Sequence, residues 1–339
     1  MAEQAGFPDE HEHLACTICH AAFESSARHE PRQLRCGHSF CAGCVMDLQR
    51  HARNGAITCP YRCRVTTPAN EEVPKNYALA AAVEAHVRSV AQMNDQRERD
   101  DIALLHKCAT AAYSLTLADI GKVVEVWGLQ DDIDMEAGLS SMRRQVHDFM
   151  TALVPQSTLT TVQDMLIRYW MNADNSLRSL YRSTRDGPSY DDLLRCVGNT
   201  EELVFVIRAN QYLFGAWISA GITLPDEPTA VNTYECDVSH FSLAGHFDTP
   251  RRIDVNQTRT GVDVAGRQGA VFGVARLQIG HWDLWLGCGP AADMRSCSQS
   301  IDSRYVPEGY RGARDEHDNA VLGGHFSFVA DELEVLTFF

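Results

Sequence analysis

The feature that most constrains this 339-residue chain is a run of eight metal-ligating residues near its start. They read Cys16-x2-Cys19, Cys36-x-His38-x2-Cys41-x2-Cys44 and Cys59-x3-Cys63. Zinc prefers four tetrahedral nitrogen or sulfur ligands, and two intervening residues let one tight turn present both thiolates to the same ion. Eight ligands make two closed structural sites, with no position left for a catalytic water. The other five cysteines, Cys108, Cys196, Cys236, Cys288 and Cys297, are scattered singly. Clustered pairs beside scattered singles point to metal rather than to a disulfide framework. A block this short buries little apolar surface, so metal binding should supply much of its folding energy.

Length suggests about two domains. The formal net charge of −15 argues against nonspecific nucleic-acid binding, which needs a surplus of Lys and Arg. The opening MAEQAGFPDEHEH is polar and acidic, unlike a secretory signal, and there is no apolar run long enough for a transmembrane segment. A cytoplasmic location is expected, with the nucleus or the periphery of vacuolar or endosomal membranes as variants; thiols stay reduced there.

Three regions follow the zinc block's logic. Residues 12–67 hold the Cys/His block. Residues 72–155 read as a helical linker: Leu79, Val83, Val87, Val90 and Met93 recur at helical spacing, pause at the charged stretch 95–101, and resume at Ile102 and Leu105. Internal packing of this stripe is expected over a coiled-coil seam, which needs several unbroken heptads. Further helices are expected around Val123–Trp127, before Gly128, and Met142–Leu153, before Pro155. Residues 157–339 begin helical, with a capping box at Ser189 and Asp192. They then turn to strands: 203–207, 212–219, 238–243, 270–274, 283–286, 321–329 and 332–338. Short strands between Gly, Pro, Asn and Asp predict an antiparallel sandwich.

The segment Cys36-Gly37-His38-Ser39-Phe40-Cys41-Ala42-Gly43-Cys44 and the pair Cys59-Pro60 resemble the RING-finger family. The resemblance implies a cross-braced arrangement, with Cys16, Cys19, Cys41 and Cys44 on one zinc and Cys36, His38, Cys59 and Cys63 on the other. The last pair is separated by three residues where the family usually has two. RING domains of this type typically act as ubiquitin ligases, holding a ubiquitin-charged conjugating enzyme in a reactive geometry without a covalent intermediate. The family's docking surface maps onto Ile18, Leu48 and Pro60, with Leu48 on a helix expected over Val45–Arg53. The family's ubiquitin-bridging basic residue maps onto Arg64, whose planar fork suits bidentate contacts. Residues 74–79 resemble the tail that often packs a helix against such domains.

Ordered blocks in the last region resemble the TLDc family: 179–187 (SLYRSTRDG), 212–217 (YLFGAW), 271–273 (VFG) followed by Asp283-Leu284, 323–326 (GGHF) and 331–335 (DELEV). Departures are Pro188, where the family usually has an aromatic residue, and Val274-Ala275, where glycine is common. The resemblance implies a two-sheet β-sandwich flanked by helices, so the chain as a whole is expected to be multidomain α+β. It also implies a link to oxidative-stress protection and to the V-ATPase. No nucleophile–base pair stands out. His240, His246, His281, His317 and His325 lack metal-ligand spacing and are expected on loops or strand surfaces. Gly187, Gly215, Gly273, Gly323 and Gly324 read as tight backbone positions rather than a phosphate cradle, and Cys288 and Cys297 as buried, inert thiols. The combined expectation is a ligase whose TLDc domain selects protein substrates; the alternative is a non-catalytic adaptor acting on the V-ATPase or the oxidative-stress response.

Overall fold

The computed structural model describes residues 14–24, 26–52, 54–254, 260–289 and 293–339. The opening 13 residues, and with them the start of the expected 12–67 block, lie outside the described residues. The chain divides into two compact units, one ending at Arg99 and one running Asp100–Phe339; the boundary falls within a single helix, Tyr77–Thr110. Among the described residues, no helix is long and apolar enough to cross a membrane.

The first unit is small and built around its cysteines. Strand Pro31–Gln33 pairs antiparallel with Ser39–Cys41, and Ala56–Ile57 pairs with Thr67–Pro68. Its core joins Phe23, Leu34, Phe40, Val45, Ile57 and Val73 to three buried cysteines, Cys16, Cys41 and Cys59. The helix expected over Val45–Arg53 runs instead over Ala42–Arg50. It starts three residues earlier because the Cys41 sulfur caps the Cys44 amide, and its expected end at Arg53 lies outside the described residues. Residues 74–79 tie down the next helix. The Pro74 carbonyl accepts from the Gln33 amide, the Asn76 side chain donates to Ser39 Oγ at 2.9 Å, and its carbonyl oxygen caps the Leu79 amide at 3.0 Å. That helix contributes Leu79 and Val83 to the core. Val87 and Met93, expected to pack internally, are 60% and 61% exposed. The charged stretch 95–101 does not interrupt the helix, because Asp95 pairs with Arg99 one turn on.

The second unit has three layers. One six-stranded antiparallel sheet runs, edge to edge, Arg251–Ile253, Val238–Ala244, Tyr212–Ile218, Leu203–Ala209, Glu332–Phe338 and Leu177–Arg182. The other runs Ser327–Val329, Ser296–Gln299, Leu284–Leu286, Leu277–Ile279, Gly261–Ala265 and Val231–Glu235. Alternation along a strand sends successive side chains to opposite faces. Leu203, Phe205 and Ile207 therefore pack between the sheets, against Leu277, Ile279, Leu284 and Leu286. Val204 and Val206 face the other way, into a core formed with the helices Leu117–Trp127, Leu139–Thr151 and Thr161–Met171. Ile102 and Leu105, from the end of the long helix, join that core.

Several strand expectations need correction. Residues 270–274 form a tight turn closed by the Val271–Ala275 bridge, with Phe272 and Gly273 both at positive φ. Residues 321–329 are two short strands, Ala320–Val321 and Ser327–Val329, joined by a turn. Strands such as Val231–Glu235 and Gly261–Ala265 were hidden because their polar outward positions dilute the apolar signal. The capping box at Ser189 and Asp192 does open a helix, Tyr190–Val197.

The histidine expectation also changes. His281, His317 and His325 are exposed, but His240 and His246 are 1% and 0% exposed and sit in the core. His246 is stacked between Tyr212 and Tyr310. Its Nε2 donates to the Leu322 carbonyl at 2.7 Å, which leaves Nδ1 to accept from Ser242 Oγ at 2.7 Å. That arrangement fixes the neutral tautomer, and burial holds the imidazole down at about 4.

Two outcomes follow. Gly215 lies where an added Cβ would meet the Phe205 carbonyl oxygen at 1.9 Å, so Gly215→Ala should cost about 3 kcal/mol in urea unfolding; an unchanged midpoint would refute this packing. Because folded His246 resists protonation, the unfolded chain takes up the proton first as pH falls. Stability should therefore drop by about 3 kcal/mol between pH ~6.5 and ~4, and His246→Gln should remove much of that slope. All five tryptophans lie beyond residue 100, so their fluorescence follows this unit alone.

Candidate metal centre

Two turns and one helix bring the ligands together. Cys16 and Cys19 flank the first turn, Cys41 caps the helix Ala42–Arg50, and Cys44 lies in its first turn. Their four sulfurs, and separately the donors of Cys36, His38, Cys59 and Cys63, lie within 4.8 Å of one another. Each set thus draws on two pairs that are not adjacent in the chain, which is the cross-braced pattern. Among the described residues these are the only two such groups.

The spacings suit zinc. A tetrahedron with Zn–S near 2.3 Å and Zn–N near 2.0 Å has edges of about 3.5–3.8 Å. Cys19 Sγ lies 3.7 Å from Cys41 Sγ. His38 Nδ1 lies 3.6, 3.7 and 3.4 Å from the sulfurs of Cys36, Cys59 and Cys63. The second ion is therefore held through Nδ1 of His38, and both donor sets fit a zinc ion.

The electrostatics explain why the metal is integral to the unit. Burial pushes against the Cys16 and Cys36 thiolates, but amide donors outweigh it, chiefly Cys41 N–H for Cys16 and His38 N–H for Cys36. Both thiols come down to about 7. Burial instead raises Cys59 to about 11 and carries Cys44 well above the ordinary thiol range. Zinc must displace protons from these groups, so binding and folding are linked.

The three-residue gap before Cys63 is absorbed locally. Arg62 adopts a left-handed backbone with φ of 54°, and its amide donates to the Cys59 carbonyl at 2.8 Å. This extra kink returns Cys63 to the second site. Tyr61 in the same turn stacks on His38, with ring centres 4.4 Å apart, shielding the ligand from one side. The sequence reading missed both features, although the unusual spacing was their signal.

Ile18, in the first zinc turn, is 38% exposed. Pro60 is exposed in the turn after Cys59, and Leu48 is half-buried on the helix against the core. Met46, Tyr61 and Val65, not singled out from sequence, add exposed apolar surface. Arg64 is exposed one residue past the last ligand. In the second unit, Cys297 is fully buried and Cys288 half-buried. Burial raises both thiols, which makes them poor nucleophiles at neutral pH.

Comparison with known proteins agrees with this geometry. The RING-type zinc-finger family matches residues 16–60, and the TLDc domain family matches residues 150–339. Tripartite motif-containing protein 59 of Gallus gallus is 36% identical over 86 residues, which is 22% of this chain and 20% of that protein. E3 ubiquitin-protein ligase trim-21 of Caenorhabditis elegans is 38% identical over 74 residues, 19% of this chain and 23% of that protein. The chain thus spans only about a fifth to a quarter of the length of these relatives.

Zinc removal separates the two units. Thiol modification should release two zinc ions per chain, read with a colorimetric zinc indicator. A strong chelator should lower the helical circular dichroism while tryptophan emission from the second unit stays unchanged. A single zinc per chain, or intact structure after complete stripping, would contradict the two-site assignment.

Proposed function

From the premise that this chain belongs to the TLDc-domain family and carries a RING-type zinc finger, we propose that it is a RING-type ubiquitin ligase whose TLDc domain selects the protein substrate. The observation that carries this reading is the pair of closed zinc sites. With four protein donors on each ion, neither metal has room for a substrate or water, so any catalysis must come from holding other proteins in place. The likeness to a relative named as an E3 ubiquitin-protein ligase supports it.

In this mechanism Ile18, Leu48 and Pro60 form the apolar face that docks the ubiquitin-conjugating enzyme. Ile18 and Pro60 each sit beside a zinc ligand, in turns that the metal makes rigid, so the face is preformed and little entropy is lost on docking. Arg64 reaches from the end of the zinc block to both ubiquitin and the conjugating enzyme. Its guanidinium makes charge-assisted hydrogen bonds that favour the conformation in which the thioester is open to attack by a substrate lysine. The thioester bond then breaks as the isopeptide bond forms, and the conjugating enzyme's thiol leaves. The ligase would work where thiols stay reduced, in the cytosol or nucleus.

A second reading is supported by the TLDc match, which spans more than half the chain. In that reading the protein is a non-catalytic adaptor acting on the V-ATPase or in the oxidative-stress response, and the zinc block is an interaction module.

Zinc-loaded full-length protein, tested with ubiquitin and a panel of conjugating enzymes, should build ubiquitin chains on itself. Ile18→Ala should lower the rate at least ~10-fold through weaker docking. Arg64→Ala should lower it while leaving conjugating-enzyme affinity within about twofold. Silence across the whole panel would remove the ligase reading and leave the adaptor.

A further inference from the structure

The outer face of the second sheet of the Asp100–Phe339 unit carries a cavity of about 690 Å³ that the zinc chemistry does not use. Its origin is legible in the strand register. Trp285 sits on Leu284–Leu286, whose two flanking leucines point into the sandwich core, so Trp285 projects from the opposite face. Its cross-strand neighbour is Ser298, and the neighbour of Ser298 is Ser327. Two small hydroxyl residues beside a tryptophan leave a hollow where larger side chains would fill the row.

Aromatic groups wall this hollow. Trp282 and Phe326 line it with Trp285, and the Trp282 and Trp285 ring centres are 5.3 Å apart. Phe272 stacks on Trp282 at 4.8 Å. Trp282 and Phe326 are 49% and 53% exposed, so a large aromatic surface faces water, an unfavourable arrangement for a folded chain with nothing to bind there. Phe272 and Trp282 also hold φ values of 47° and 74°. A bulky residue in this left-handed region costs roughly 1–2 kcal/mol, and such strain concentrates at ligand clamps.

The rim sets the ligand's charge. Asp302 and Asp315 line the cavity, and no lysine or arginine does so among the described residues. Asp302 is already matched by Arg304 at 2.5 Å. Among the described residues, Asp315 is held by neutral donors: Ser300 Oγ at 2.9 Å, Asn319 Nδ2 at 3.1 Å and the amides of His317 and Asn319. Its negative charge is therefore oriented but not cancelled. Exposed Glu316 and Asp318 lie in the same loop, where Asp318 pairs with Arg314 at 3.6 Å and Glu316 faces His317, a lining residue, at 3.7 Å. Aromatic faces beside an uncompensated carboxylate favour a cation, which gains from the ring quadrupole and the charge together.

We propose that this cavity binds a cationic side chain of a peptide, an arginine guanidinium or a lysine ammonium, seated over Trp282 and Trp285 beside Asp315. It deepens the reading of the TLDc domain as the substrate-selecting part, and rests on that reading only for the peptide's being a substrate.

The test uses the full-length, zinc-loaded chain labelled with 5-fluorotryptophan, its five fluorine resonances assigned by single Trp→Phe substitutions. The probes are Nα-acetyl-arginine methylamide and Nα-acetyl-lysine methylamide, with N-acetyl-norleucine methylamide as neutral control and chitotriose as saccharide control. A cationic probe should shift the Trp282 and Trp285 resonances saturably, leave Trp127, Trp170 and Trp217 unmoved, and weaken as salt is raised. Asp315→Asn, and Trp282→Leu read at Trp285, should each weaken binding by roughly fivefold or more. An equal response to the norleucine probe, saturation by chitotriose alone, or no response to either cation would overturn the proposal. Autoubiquitination is measured in parallel on the wild-type chain, an assay that needs no peptide. Failure of the ligase reading and failure of the binding site are thus seen separately.

Discussion

The N-terminal unit depends on thiolate–zinc coordination more than on burial. Its core is a handful of side chains, and three of the eight ligands, Cys16, Cys41 and Cys59, are themselves buried in it. Four sulfurs held within 4.8 Å of each other would repel as thiolates and waste donors as thiols; a divalent cation resolves both at once. Because each ion draws on two non-adjacent pairs, neither site can form before the chain between the pairs has folded back. Coordination thus fixes the short strands and the helix Ala42–Arg50 together. The same rigidity holds Ile18 and Pro60 in place, since each is displayed in a turn beside a zinc ligand.

In the second unit that organising part is played by one sheet with two apolar faces. Glu332–Phe338 lies inside it, between Leu203–Ala209 and Leu177–Arg182. Buried acids pin its N-terminal end to the chain around it. Glu332 accepts from Ser183 Oγ at 2.8 Å, the Thr184 amide at 3.0 Å and Arg182 at 3.0 Å, while Glu334 accepts from the Thr158 amide at 3.0 Å. Both oxygens of Glu332 are satisfied, as a buried carboxylate requires, whereas Glu334 is engaged through one oxygen, which accepts from the Thr158 amide and hydroxyl. With one sheet committed on both faces, the outer face of the other is the surface on which this unit can build a recognition site, and the aromatic hollow lies there.

The legible parts of the sequence were those set by local chemistry. Ligand spacing marked the zinc donors, and a serine with an aspartate three residues on marked the helix Tyr190–Val197. Runs of β-branched and aromatic residues marked Leu203–Ala209 and Tyr212–Ile218, because both faces of those strands are buried. Residues 270–274 read as a strand because Val271, Phe272 and Val274 are strand formers. The turn there is closed by the Val271–Ala275 bridge and by the Gly289 amide on the Val274 carbonyl, and propensity carries no trace of it. His246 looked like a surface histidine for the same reason: its Tyr212, Tyr310 and Leu322 partners come from distant parts of the chain.

What the sequence by itself determined was the metal chemistry and the family of each part, because ligand type and spacing are one-dimensional properties that zinc reads directly. Only the tertiary structure decided how the three-residue gap before Cys63 closes, through a left-handed Arg62 and a stacked Tyr61. It alone also assigned the helices from Leu117 onward to the same core as the sheet. The meeting of Trp282, Trp285 and Asp315 around one hollow was likewise invisible beforehand. Those arrangements arise from contacts between segments far apart in the chain, which no local pattern encodes.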